Sequence, residues 1–403
     1  MSNYKKNIII IFISTLISLY FIEIYLNLFN EKKNFNNIKK VYKKKTGKNF
    51  DERTPREIYK DSKDEGFVIS VPPVVHFGKD NSIFPLSGIS NSKTILCNEN
   101  GYYSTYKSDR FGFNNLNSEW DQKDIEFLLI GDSFVQGACV NKPNDIASIL
   151  KKLSGRSVLN LGFGGSGPLI EYATLREYFI PGTKNVIWFY YEGNDLLDLE
   201  NEVKNIILKK YIENKNFIQN LKIKQNEIDL INSQEISNSF LGDKLYNIKK
   251  NSEIKYKIIK FLRLDKTKNI VKSTFSQEPG YYSYDLENFK KILNETKEFL
   301  LKNNSNFYFV YLPDLERYVY CRYKPCNKGF LSKKKLKNHR YKKEIVKEII
   351  DDLGIYFIDI DKEVFVKEKD KLQLFPFGIL DHYNPEGYYK VALRVYNIIN
   401  EVD

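Results

Sequence analysis

From residue 125 onward, short apolar runs alternate with stretches of helical period, and several of the runs end in glycine or a small polar residue. The runs fall at 125–130, 157–161, 185–191, 306–312 and 355–360. Helical stretches lie between and after them at 144–153, 169–179, 286–301, 333–353 and 385–400, the second opened by Pro168. Strands that are apolar along their whole length, each followed by a helix, are buried on both faces. That pattern demands a parallel sheet with helices on either side. The expected fold is a three-layer α/β/α domain with a flavodoxin-like parallel sheet of about five strands.

The rest of the chain divides by composition. Residues 7–29, NIIIIFISTLISLYFIEIYLNLF, carry one charge, Glu23, and are long enough to cross a bilayer as a helix. No small-residue cleavage site follows, so residues 1–30 read as an uncleaved transmembrane anchor. Residues 31–65 are rich in Lys and Asn and read as a basic tether. Residues 66–124 read as a β-rich lead-in, with β-like runs at 67–71 and 74–77 among Pro, Gly, Asn and Ser. The domain proper is 125–403, interrupted by a Lys/Asn/Ile-rich helical insertion at about 200–284.

Orientation draws on two opposed signals. Lys32, Lys33, Lys39, Lys40, Lys43, Lys44 and Lys45 after the span outnumber Lys5 and Lys6 before it, which by the positive-inside rule favours a cytoplasmic body. Lysine is dense along the entire chain, however, which dilutes that signal. The four cysteines, Cys97, Cys139, Cys321 and Cys326, are an even set suited to an oxidising space, and Cys321 and Cys326 could close a short loop. A periplasmic or extracytoplasmic body is the reading adopted. The net charge of +12 comes mostly from Lys, not the Arg that base readers favour. With no zinc-finger spacing and no aromatic RNA-binding motif, nucleic acid is excluded as a partner.

In open α/β sheets, chemistry sits beyond the carboxyl ends of the strands. Three polar clusters fall there. In Gly131-Asp132-Ser133-Phe134, a serine at a strand-to-helix turn can present its hydroxyl to solvent. In Asn160-Leu-Gly162-Phe-Gly164-Gly165-Ser-Gly167, glycines allow backbone N–H groups to face a developing oxyanion. In Gly193-Asn194-Asp195, an amide can donate to the same charge. A nucleophilic serine needs a base. Of the three histidines, His76 lies in the lead-in and reads as structural, and His339 lies among cations that would keep it exposed. His382, in Asp381-His-Tyr-Asn-Pro-Glu-Gly387, is left as the base by elimination.

Taken together these segments resemble the SGNH/GDSL hydrolase superfamily over roughly residues 109–200 and 305–400. The resemblance implies Ser133 as nucleophile, His382 as base, and Gly165 and Asn194 as oxyanion donors beside the N–H of Ser133. Residues 164–178, with Asp109-Arg-Phe-Gly-Phe113 upstream, look like a membrane-anchored bacterial subgroup associated with polysaccharide export. One position departs from the family pattern. The acid expected three residues before the histidine is Ile379 here. Three readings stay open: Asp381 folds back to the ring, another carboxylate such as Asp195 or Asp198 replaces it, or a Ser–His dyad operates. The implied activity is a serine esterase or O-acyltransferase on acylated, chiefly O-acetylated, cell-surface glycans or small esters, with no metal or organic cofactor. The alternative is a catalytically weak, membrane-tethered glycan-binding accessory protein.

Overall fold

The structure is a computed structural model that describes residues 3–29, 32–241, 252–265, 267–268, 284–319 and 330–402. The chain forms two units, one of residues 1–50 and 237–282, the other of residues 51–236 and 283–403.

In the first unit the helix Asn3–Phe29 contains one stretch, Lys5–Tyr25, with a mean hydropathy of 2.3 and length enough to cross a membrane. Its single acidic residue is not left bare. The carboxylate of Glu23 accepts from the backbone N–H (2.8 Å) and the hydroxyl (2.7 Å) of Thr267.

The second unit holds the expected parallel sheet. Strands β1 (Phe67–Ile69), β2 (Lys93–Ile95) and β3 (Thr105–Lys107) form a small sheet of their own. The main sheet has β4 (Phe127–Gly131), β5 (Val158–Asn160), β6 (Asn185–Tyr191), β7 (Asn306–Leu312) and β8 (Tyr356–Asp359). Their order is β5-β4-β6-β7-β8 and every neighbouring pair is parallel. The order reverses at β4, the point where doubly wound sheets open a crevice.

Alternation along β6 shows how the layers are built. Ile187, Phe189 and Tyr191 enter the apolar core that includes Ile146, Ile149 and Leu150 of the helix Ile146–Ser154 and Val391, Val395 and Ile398 of the helix Pro385–Val402. On the opposite face the Trp188 indole donates to Glu171 of the helix Pro168–Tyr178 (2.5 Å), and Tyr190 meets Phe289 of the helix Leu286–Lys302. Burying one large apolar side chain contributes about 1.5–3 kcal/mol, and all seven residues of β6 are buried.

Three stretches differ from the sequence reading. Residues 32–65 are more ordered than a tether, with helices Lys32–Thr46 and Pro55–Ser62. The second is nucleated by a capping box: Thr54 N–H donates to Glu57 Oε2 (2.7 Å), and Glu57 N–H returns to Thr54 Oγ1 (3.3 Å). The run 74–77 is not a strand, because Pro73 starts a 3-10 turn, Pro73–His76. The segment read as one insertion is divided. Helices Ile206–Glu213 and Gln225–Ile236 belong to the sheet-bearing unit, and residues 237–282 to the other.

Candidate active site

The turn after β4 carries the serine. Gly131 has φ +153°, and a Cβ there would lie 2.6 Å from Val135 Cγ2 and 2.8 Å from the carbonyl oxygen of Phe189. Only glycine lets the chain turn this sharply from strand into the helix Ser133–Gln136. Asp132 caps that helix by accepting from the Phe134 N–H (2.9 Å). Burial pushes the Asp132 carboxyl up to about 6.

His382 arrives from the other end of the chain. Asn384, just beyond it, caps the last helix by accepting from the Gly387 N–H (3.0 Å). A Cβ on Gly387 would strike the carbonyl of Leu374 at 2.5 Å, so this segment lies flat against the preceding loop. The His382 ring packs on Phe134, 4.9 Å between centroids. Its Nε2 lies 2.9 Å from Ser133 Oγ. Asp132 Oδ2, at 3.3 Å from the same Oγ, is the longer contact.

Glu99 meets the other side of the His382 ring. Its Oε1 lies 2.8 Å from His382 Nδ1, and its Oε2 accepts from the His382 backbone N–H at 2.9 Å. An ionised carboxylate only accepts, so Nδ1 carries the proton and Nε2 presents a lone pair to the serine hydroxyl. Burial alone would lower the His382 pKa. The hydrogen bond and charge of Glu99, with the charges of Asp132 and Asp381, outweigh it and hold the value above the ordinary one.

This corrects the sequence reading of the acid. Asp381 is exposed and does not occupy the Nδ1 position. Nor do Asp195 or Asp198: Asp195 accepts from the Tyr191 N–H (2.7 Å), and Asp198 accepts from the Asn194 amide (2.5 Å). A side chain adjacent to the histidine must double back to reach its ring, whereas the tip of the β2–β3 hairpin faces it directly. Sequence reasoning missed Glu99 because it weighed only carboxylates beside the histidine or within the motif segments, and Glu99 lies in neither. The available signal was Cys97, whose sulfur bonds Cys139, six residues after the serine. The loop once read between Cys321 and Cys326 lies outside the described residues.

The glycine loop crosses Ser133. A Cβ on Gly164 would lie 3.4 Å from Ser133 Cβ, and the Gly164 N–H is held by Gln136 Oε1 (2.9 Å). Gly165 follows in a left-handed conformation (φ +77°), with Pro72 where a Cβ would go (2.9 Å). Asn194 starts the helix Asp195–Glu202, one amide hydrogen on Asp198, whose Cβ would meet a Cβ on Gly167 at 2.7 Å. An amide nitrogen has a second hydrogen to give. Glu202 accepts from the Gly167 (2.6 Å) and Leu169 (2.9 Å) N–H groups, tying the loop to this helix, and burial pushes it up to about 8.

The other histidines are structural in placement. His76 Nε2 pairs with Asn232 Oδ1 (3.0 Å). His339 is buried rather than exposed, with Nδ1 3.2 Å from Glu192 Oε1. Arg317 also reaches the buried Glu192, its Nε 2.9 Å from Oε2. For metal ligation, Asp314, Glu316 and His339 bring three donors together, but Arg317 and Lys342 crowd the same ground. Glu99, Cys139 and His382 form a second group, in which the sulfur is already in a disulfide.

No family model matches the chain, and no curated protein matches its sequence. Among solved structures it is similar to a lipolytic protein of the G-D-S-L family from Desulfitobacterium hafniense DCB-2. Identity is 13% and the TM-score 0.36, covering 68% of this chain and 99% of that one. It is also similar to the acetyl xylan esterase AlAXEase, at 13% identity and a TM-score of 0.35, covering 68% and 100%. Likeness at this distance carries no argument about chemistry, which rests on the geometry above.

Proposed function

We propose that this chain is a serine hydrolase or O-acyltransferase of the SGNH type, acting on ester groups of glycans through an acyl-enzyme at Ser133. The observation that carries the reading is the continuous relay from Ser133 Oγ through His382 to Glu99, at 2.9 and 2.8 Å. His382 Nε2 takes the hydroxyl proton as Oγ attacks the ester carbonyl carbon. The tetrahedral oxyanion is met by the N–H groups of Ser133 and Gly165 and the free amide hydrogen of Asn194. Glu99 stabilises the imidazolium. His382 then returns the proton to the departing alkoxide, which leaves the acyl group on Ser133. Water (hydrolysis) or a sugar hydroxyl (transfer) attacks that ester with His382 again as base. No step calls for a metal.

Glu99 at His382 Nδ1 supports the enzymatic reading over the binding-only alternative. Attachment through the Asn3–Phe29 helix and an extracytoplasmic body belong to the same proposal. The Cys97–Cys139 disulfide favours the oxidising side of the membrane. The test uses the full-length chain in detergent. Fluorophosphonate labelling and p-nitrophenyl acetate turnover are expected in the wild type and lost in Ser133→Ala. A folded wild type that neither labels nor turns over overturns the reading.

A further inference from the structure

Glu99 is held at the tip of a short hairpin. Strands β2 and β3 pair over only three residues each; Leu96 N–H to Ser104 O and Ser104 N–H to Cys97 O (both 2.9 Å) extend the pairing, and the tip also bonds Asp51, whose N–H donates to Gly101 O (2.9 Å) and whose carbonyl accepts from the Asn98 amide (2.8 Å). Such a short ladder alone would leave a terminal carboxylate free to swing. Cys97, two residues before Glu99, is bonded to Cys139, with Cα atoms 4.9 Å apart. The chain keeps the Glu99 Cα within about 7 Å of the Cys97 Cα, which the bond holds 4.9 Å from that of Cys139.

The Cys139 end of the bond belongs to the nucleophile. Cys139 is fully buried, stands in a left-handed conformation (φ +61°), and follows Ala138, whose N–H donates to Ser133 O (2.9 Å). The Ala138 carbonyl accepts from Tyr388 OH (3.1 Å), on the helix that His382 precedes. The Cys139 carbonyl accepts from the Asn100 amide (3.0 Å), beside Glu99. Cys139 Sγ is 3.9 Å from His382 Nδ1. The segments bearing serine, histidine and acid therefore meet at this one cross-link.

We propose that Cys97 and Cys139 are positioning residues for the catalytic acid, and that the site is competent only while they are joined. The inference rests on the acyl-enzyme reading and adds regulation to it. A dithiol reductant gives two electrons and two protons to the S–S bond and becomes a disulfide itself. Cys97 and Cys139 become thiols, and the hairpin tip loses its covalent hold, keeping only hydrogen bonds such as that of Asn100 to the Cys139 carbonyl. Cys97 is half-buried and is the sulfur a thiolate can reach. Glu99 then leaves Nδ1, and the imidazole loses both its orientation and the charge that raises its pKa. Asp132 and Asp381 are the other charged groups acting on that ring, and they stay in place.

The test uses the full chain with Cys321→Ser and Cys326→Ser, so that one pair responds. Opening the bond by Cys97→Ala with Cys139→Ala should lower kcat/KM about 10²-fold through kcat, as a misplacement of about 1 Å does. In a Glu99→Gln background the same change should cost nothing more. Unchanged kcat/KM, or losses that multiply with Glu99→Gln, would overturn the proposal. If the double variant fails to fold, dithiothreitol treatment of the folded protein replaces it. A second readout is independent of turnover. By NMR, the His382 titration should move to lower pH when the bond opens, and an unmoved titration refutes the strap even if Ser133 proves inactive. Loss of Ser133-dependent labelling in the oxidised protein, with the titration still responsive, would sink the hydrolase reading and leave the strap standing.

Discussion

A carboxylate that accepts from both the ring and the backbone of one histidine removes two freedoms together: the tautomer and the ring's rotation. Glu99 does this for His382. Replacing it by Gln would put an amide where only an acceptor works, favouring the tautomer with its proton on Nε2. Glu99→Gln is expected to lower kcat/KM by up to about 10⁴, the loss known for a triad deprived of its acid. The sign of the pH effect follows from the raised His382 pKa. The base must be neutral, so activity rises with pH through a value above the ordinary histidine one, and Glu99→Gln should move that limb to lower pH. Asp381→Asn should shift the limb slightly the same way and leave kcat nearly intact, because Asp381 acts on the ring only by its charge. Initial-rate profiles for the two variants check both expectations. Ser133, His382, Gly165 and Asn194 could be proposed from the sequence because each sits in a short motif at an element boundary. Glu99 belongs to no such motif and lies 283 residues from the histidine it serves.

At the level of elements, the ends of β6 and β7 are joined by a buried ion pair. Glu192 follows β6, is 1% exposed, and binds the Arg317 guanidinium through two nitrogens. Burial works against its charge, but His339 and Arg317 hold its carboxyl down at about 2. Arg317→Ala would leave that buried charge with only His339 beside it and is expected to destabilise the fold by about 3–5 kcal/mol, read from urea unfolding. Sequence context made His339 an exposed residue, because it is flanked by cations. Burial is decided by what packs over a segment, and neighbours along the chain do not report that. The strands, the Pro168 helix start and the Gly131 turn were legible, since apolar runs and helix caps act within a few residues. The small sheet was legible only in part. Pro73 starts a 3-10 turn within a run whose composition reads as strand.

Across the whole molecule, several carboxyl groups behind the site are buried with raised pKa values. Burial pushes Asp132 and Asp198 up to about 6 and Glu202 up to about 8. The folded state therefore holds these protons more tightly than the unfolded chain does. Their contribution favours folding at low pH and is lost as pH rises from the unfolded values through about 8. His382, also raised, contributes in the same direction. Glu192 opposes them only in acid: its stabilisation is present above the unfolded value and is lost as pH falls through about 2. The urea midpoint should accordingly be higher near about pH 5.5 than near about pH 8.5, and Glu202→Gln should flatten the difference. The apolar periodicity of the chain was sufficient to specify a parallel α/β sheet and the strand ends where its chemistry stands, because those signals are local and repeat. Which carboxylate reaches His382, which sulfur meets Cys97 and which ion pairs lie inside depend on loops from distant segments converging beyond the carboxyl ends of the strands. Those choices arise only once the layers pack, since the free energy of such contacts comes from groups that the chain order keeps apart.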